Sequence, residues 1–501
     1  MPVAAHIEIG CSARAIFCPP RTRRPRIAGG QTADKNTHSQ KQIRHREPPL
    51  GGVAIQGRKH RAEALDCFVA KASPPRRRGA PRNDETMAAG ESALWTARMT
   101  PLRGKAASLT LLLVSEVAAM AAWFATTASL AAINRHWTLS PFHAALLTSS
   151  VQGGFVVGTA TSALFSIADR FDLRKLFSAA AMVACVANLA ILGFEPTSPA
   201  VPLLRFVTGF CLAGVYPVGM KLAATWAKGD LGLLIGLLVG ALTFGSALPH
   251  LVAAAGGLDW RMPVVGAAVG ALVASVLIRF AGIGPLQTKA PKLRLANALD
   301  AWRNRSVRLA NLGYLGHMWE LYAMWAWIGT FMAASLRQRY AADPPFPASL
   351  ATFAVVASGA VGALVAGWAA DRVGRTVVTM SAMLVSFLCA LCIGFLFGGD
   401  AWPLLLVAIV WGVTVVADSA QFSASVTELS APELIGTMLT VQTCLGFLLT
   451  MVSIQALPWF ADLVGWRYGF CLLAIGPFLG VVAMARLRMR PDARRLAGGR
   501  R

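Results

Sequence analysis

Between residues 107 and 486 the chain is a succession of apolar runs, each close to the roughly 20 residues that a helix needs to cross a bilayer core. In hydrocarbon a backbone has to satisfy its N–H and C=O groups within itself, so such runs are read as membrane-spanning helices. They fall near 107–133, 142–167, 174–194, 199–221, 231–255 and 262–282, then near 307–335, 348–369, 376–397, 402–426, 434–458 and 466–486. The expectation is an all-α polytopic membrane protein with twelve transmembrane helices in two six-helix halves.

Composition agrees with this reading. Apolar residues make up 55% of the 501 and charged ones 14%, too oily for a soluble protein of this length. The formal charge of +23 would suggest nucleic acid in a soluble chain, but 18 of the 47 Lys and Arg fall within residues 1–98 and others sit between apolar spans. There they orient a membrane protein, and no nucleic-acid partner is expected. The nine cysteines lack ligand spacing; Cys389 and Cys392 lie inside an apolar helix without nearby His or carboxylate, so no metal and no cofactor are expected.

Five regions follow. Residues 1–98 are rich in Arg, Pro, Gly and Ser and cannot bury a core, so they are expected to be disordered. Met87 and Met99 offer starts just before the first span, which points to a start assigned upstream of the natural one, with an Arg-rich targeting peptide as the second reading. An N-terminal half (105–285), a basic linker (286–306), a C-terminal half (307–488) and a basic tail (489–501) complete the chain. With both termini cytoplasmic, the inner loops collect Arg170, Arg174, Lys175, Lys289, Lys292, Arg294, Arg303, Arg305, Arg308, Arg372 and Arg375, while the outer loops keep Arg135, Arg261, Arg337, Arg339 and Arg467. That bias is the one seen for proteins of an inner, or plasma, membrane with their termini inside.

The halves repeat. At an offset of about 204, Glu116, Ala119, Met120, Ala122 and Trp123 fall over Glu320, Ala323, Met324, Ala326 and Trp327, identical at each of these places. Trp260-Arg261 before span six matches Trp466-Arg467 before span twelve. After span eight stands Gly367, then Asp371-Arg372-Val373-Gly374-Arg375; after span two stands Asp169-Arg170-Phe171-Asp172.

These residues resemble the major facilitator superfamily, whose signature between spans two and three reads Gly, three residues, Asp-Arg, any residue, Gly-Arg. The second copy matches at every fixed position, while the first has Phe165 and Asp172 where the pattern has glycines. Arg205 followed by Gly209, Gly214 and Pro217 is similar to the family's span-four motif; Gly240, Gly245 and Pro249 do not reproduce the Gly-Pro pattern of its drug-proton antiporters. The resemblance implies a secondary transporter in which spans one, four, seven and ten line a central cavity.

An ionised carboxylate in hydrocarbon costs several kcal/mol or is neutralised, so an intramembrane acid is a functional candidate. Glu116, Glu320 and Asp418 qualify, and helical rise places all three roughly 10–17 Å from the cytoplasmic ends of their spans, in one layer. Gln421 and Ser425 share a face with Asp418, as Thr208 and Tyr216 do with Arg205; His317 stands one turn before Glu320, among Trp319, Tyr322, Trp325 and Trp327. Glu320 is the expected proton-exchanging acid, Arg205 or His317 the contact for a substrate anion, and Asp418 or Glu116 the contact for a cationic group. For Glu116 and Arg205 a structural pair or snorkelling is the alternative, and for His317 a packing role. Asp169, Arg170, Gly367, Asp371, Arg372, Gly374, Arg375 and Glu428 form the expected gate, with Arg372 paired to Glu428 and Gly367 allowing close helix approach.

The function expected is alternating-access movement of a small organic solute across the lipid bilayer, as proton-coupled symport. An efflux antiporter and a nitrate or nitrite carrier are the alternatives, the latter opposed by Gln152 and small apolar residues where such carriers have Arg on spans two and eight. Neither catalytic residues nor a ligand cluster for a membrane enzyme are found, and a non-transporting sensor is disfavoured by the intramembrane acids.

Overall fold

The computed structural model describes residues 104–228, 230–257, 259–286, 295–341 and 343–501. The basic first segment with Met87 and Met99, and the linker residues Lys289, Lys292 and Arg294, lie outside the described residues.

Among the described residues the regular structure is helical throughout. The principal helices of the first half are α1 (Lys105–Met120), α2 (Pro141–Leu164), α3 (Leu173–Ile191), α4 (Ala200–Leu212), α5 (Tyr216–Ala224), α6 (Leu231–Gly256) and α7 (Arg261–Leu277). Those of the second are α8 (Arg305–Tyr340), α9 (Ala348–Val373), α10 (Arg375–Cys392), α11 (Ala401–Ala417), α12 (Ser419–Leu429), α13 (Ile435–Val464) and α14 (Cys471–Arg488). Among the described residues nine helical segments are individually long and apolar enough to cross a membrane; the other three of the twelve expected spans are α1 with its short continuations, α2 and α8.

Three spans are broken where continuous helices were expected. The first stops at Met120, crosses Ala121–Phe124 as a turn, and resumes as Ala125–Ala128 and Leu130–Ile133. The fourth breaks between α4 and α5, and the tenth at Asp418, which links α11 to α12. A broken helix exposes carbonyls that need new donors, and such irregular backbone persists at membrane depth only when protein or a cavity surrounds it.

Glycines bring the backbones together in matching places of the two halves. A Cβ on Gly209 of α4 would collide with the Val151 carbonyl of α2, and one on Gly154 of α2 with the Phe206 carbonyl of α4. In the second half Gly412 of α11 meets the Val355 carbonyl of α9, and Gly362 of α9 meets the Val413 carbonyl of α11. Small residues thus replace the hydrophobic effect, which gives no net drive between helices in lipid. The two halves meet along α6 against α9 and α2 against α13. Gly367 takes no part: a Cβ there would meet nothing within 4 Å, which corrects the expectation of close approach at that glycine. The close contacts of α9 fall one to two turns earlier in the helix, at Gly359 and Gly362.

Candidate transport site

The break in the first span turns Trp123 and Phe124 inward, where both are almost wholly buried. Trp123 lies 5.6 Å from Tyr322 of α8, 5.1 Å from Phe155 of α2 and 5.7 Å from Phe447 of α13, ring centre to ring centre. Phe124 stacks on Tyr322 at 6.4 Å and meets Trp325 edge-on at 5.9 Å. Rings from both halves therefore close over one another at the middle of the molecule. Trp123 Nε1 donates to Gln152 Oε1 at 3.2 Å, with the amide nitrogen turned to the Thr148 carbonyl.

Arg205, fully buried on α4, holds that break. Its Nη1 donates to the Ala122 carbonyl at 2.8 Å and to Asn188 Oδ1 at 3.2 Å, its Nη2 to the Trp123 carbonyl, and its Nε to the Leu147 carbonyl at 3.2 Å. The geometry corrects the expectation of an anion contact: the planar fork is committed to carbonyls left open by the helix break. Neither does it snorkel to the interface.

The second half carries the acidic cluster. His317 Nδ1 on α8 stands 2.8 Å from Asp418 Oδ1 at the α11–α12 break, both side chains nearly inaccessible, in a close polar contact without a straight hydrogen bond. One turn along, Glu320 Oε1 accepts from Ser386 Oγ of α10 and Trp411 Nε1 of α11, each at 2.7 Å. Glu116 stands apart, in the first half: its carboxyl faces Gly219 of α5, and both oxygens lack a hydrogen-bond partner although the residue is fully buried. Gln421 turns from the expected solute-facing stripe to accept from Arg375 Nη1 at 2.8 Å, while Tyr322 lies in the central ring cluster.

The expected gate residues lie at the end of the bundle that carries Lys105 and Arg488. Glu428 binds Arg375, at 2.6 Å to Nη2 and 3.0 Å to Nε, and not Arg372. The correction has a backbone cause. Gly374, at φ +105°, reverses the chain between α9 and α10 and aims Arg375 at α12, whereas Arg372, still on α9, lies 4.0 Å over the ring of Trp368 one turn back. Asp371 carries a weaker contact to Arg375 at 3.8 Å. In the first half the polarity is reversed, with Asp169 bound to Lys221 of α5 at 2.6 Å and Arg170 exposed. Asp172, standing where the second copy has Gly374, caps α3 by accepting from the Arg174 and Lys175 amides at 2.9 and 3.4 Å. Burial works to raise its carboxyl, but the bonds and charge of Arg174 outweigh this and hold it below the ordinary carboxylate value.

Residues 491–501 fold back over Asp371 and Glu428. Ala493 and Leu496 are buried, the Ala497 amide donates to Glu428 Oε2 at 3.0 Å, and Arg500 reaches the Asp371 carbonyl. Lys221, Trp411 and Ser386 were not singled out from sequence, and Trp123 was marked there only as a match in the repeat. The basic residue ending span four was the one available signal for Lys221; nothing in the chain's pattern marks Ser386.

A cavity of about 230 Å³ opens beside the Asp169–Lys221 pair, lined by Thr159, Ser162, Asp169, Lys221 and Thr440 among others. Among the described residues no group of three or more His, Cys, Asp or Glu has a metal-holding arrangement.

The family model of the Major Facilitator Superfamily matches residues 112–336 and 320–501. No curated protein sequence matches the chain. Among solved structures, the nucleoside transporter NupG superposes with a TM-score of 0.60 at 16% identity, over 76% of this chain and 99% of that one. The proton:xylose symporter XylE, bound to 6-bromo-6-deoxy-D-glucose, superposes with a TM-score of 0.58 at 14% identity, over 76% and 95%. At such identities the likeness is one of fold.

Proposed function

The chain belongs to the major facilitator superfamily, and from that premise we propose a proton-coupled symporter of a small organic solute, working by alternating access in a plasma or inner membrane. The single observation behind proton coupling is the cluster of His317, Asp418 and Glu320. One buried carboxylate, Asp418, faces the His317 imidazole, a second, Glu320, lies one turn along α8 from it, and among the described residues no Lys or Arg bonds to either acid. Unbalanced charge in a low-dielectric interior is strongly disfavoured, so the cluster favours holding at least one proton, and a change of surroundings as the halves rock releases it. The Glu320–Trp411 and His317–Asp418 contacts tie α8 to the broken tenth span, and spans seven and ten are two of the four expected to line the cavity. The bias of Lys and Arg toward the loops of one face supports cytoplasmic termini.

Purified protein in liposomes loaded with a pH-sensitive dye tests this. Each solute of a panel of nucleosides, sugars, organic anions and organic cations is applied with and without a pH gradient. The expected result is proton entry that accompanies one solute class in the native protein and is lost in Asp418→Asn and Glu320→Gln. Both variants should retain solute exchange across the membrane, because exchange does not require net proton release. Uphill solute movement without proton entry in the native protein would sink the coupling while leaving the carrier.

A further inference from the structure

Polar atoms buried without a partner mark places where a folded protein expects another molecule. Three such atoms flank the break in the first span, and none belongs to the acidic cluster or to a gate. Trp325 Nε1 on α8 has no acceptor, although the residue is 1% exposed and its ring is fixed against Phe124 at 5.9 Å and Tyr322 at 5.5 Å. Ser246 Oγ and His250 Nε2 on α6 are equally unpartnered, at 1% and 5% exposure.

The backbone brings these residues to the neighbourhood of the break. Thr243, Ser246 and His250 stand at i, i+3 and i+7, one helical face, and Thr243 is directed at Gly359 of α9 across the seam between the halves. Phe244 of α6 packs on Phe353 of α9, beside Thr352, and Thr352 in turn lies against Gly329, one turn beyond Trp325 on α8. The outer part of α6 also borders the short helix Ala125–Ala128, immediately after Phe124, which Trp325 touches. Gly245, next to Ser246, meets the Val117 carbonyl and Met120 at the end of α1, and Trp325 meets Phe124 just after it, so donors from both halves stand beside the break.

We propose that Trp325, Ser246 and His250 form the polar subsite for the transported solute, and that this solute is a neutral molecule carrying hydroxyl or carbonyl groups on a ring. The indole N–H asks for an acceptor; the serine hydroxyl and the imidazole nitrogen answer either an acceptor or a hydroxyl. Tyr322, Trp123 and Phe124 supply flat apolar surfaces for the ring. A charged solute finds no counter-charge among these groups, because Arg205 is committed to carbonyls, Glu320 accepts from Ser386 and Trp411, Asp418 faces His317, and the Glu116 carboxyl faces Gly219 of α5. The inference rests on the carrier reading and adds a solute class to it.

Equilibrium binding to the full-length protein in detergent, without any gradient, tests it, using uridine and xylose as neutral probes against gluconate and choline. The native protein is expected to bind a neutral probe and neither charged one. Trp325→Phe, which keeps the ring and deletes the N–H, should weaken that binding by about 3- to 10-fold, the worth of one hydrogen bond. Ser246→Ala should act in the same direction. In the empty protein Trp325→Phe should leave the melting temperature unchanged, since an orphaned donor contributes nothing to the fold; a structural indole would lower it. Unchanged neutral-probe affinity in both variants, binding of gluconate or choline alone, or binding of no neutral probe would each overturn the subsite. Binding does not depend on flux, so probes that bind but never cross would leave the subsite standing and sink the carrier. A different solute that crosses would do the reverse.

Discussion

Arg205 is the side chain on which the shape of the central site depends most directly. It is fully buried, and its bonds run to the Ala122, Trp123 and Leu147 carbonyls and to Asn188. Arg205→Ala leaves the Ala122 and Trp123 carbonyls open at a helix break inside the bundle. At about 1–3 kcal/mol for each buried group left unsatisfied, the loss is roughly 2–6 kcal/mol. Arg205→Lys should recover only part of it, because a single ammonium cannot span the same fork of acceptors. Thermal melting of the two variants in detergent checks both, and an alanine variant that melts with the native protein would remove Arg205 from this role. The sequence marked Arg205, Glu116, Glu320, Asp418 and His317 because each is a polar side chain in an apolar run. It could not say which carry bonds within the fold, since that depends on where α1 stops, and no proline or glycine between Ala119 and Phe124 announces the stop.

At the scale of elements, that break accounts for the different fates of a repeated pair. Trp123 and Trp327 occupy equivalent places in the repeat. In the unbroken α8, Trp327 keeps its helical direction and donates to the Ile454 carbonyl at 3.0 Å, whereas the turn in the first half swings Trp123 into the centre. Periodicity located the helices and their order, because burial in lipid imposes one apolar length on each. It could not locate helix contacts made by the absence of a side chain. Gly209 and Gly412 occupy matching sites against the Val151 and Val355 carbonyls, while Gly367, singled out for its place in the gate signature, faces open space. Gly209→Val and Gly412→Val should each destabilise by about 1–3 kcal/mol or more through overpacking, with Gly367→Val close to native. Melting curves of the three variants decide the matter, and a Gly367 variant as damaged as the other two would restore the close approach expected from the signature.

For the whole molecule, two halves joined along α6–α9 and α2–α13 have to part along at least one of these seams to admit a solute from each side in turn. The middle of the α6–α9 seam offers a direct measurement. A Cβ built on Gly240 lies 3.9 Å from Ala360 Cβ, within the roughly 3.5–4.5 Å that a disulfide requires. The pair Gly240→Cys with Ala360→Cys should therefore oxidise readily, giving a bond that reduction reverses. Both sites are lined by small groups, so the reduced pair adds little volume and should transport near the native rate. Once the bond forms, the seam cannot widen beyond the short span that a disulfide tolerates, and solute flux should stop, then return with dithiothreitol. The single variants, treated in the same way, report any contribution from the native cysteines, of which Cys185, Cys211 and Cys389 are buried. Full cross-linking with undiminished flux would mean that α6 and α9 move as one body, and would place the moving seam between α2 and α13, where Phe155 and Phe447 meet at 4.6 Å.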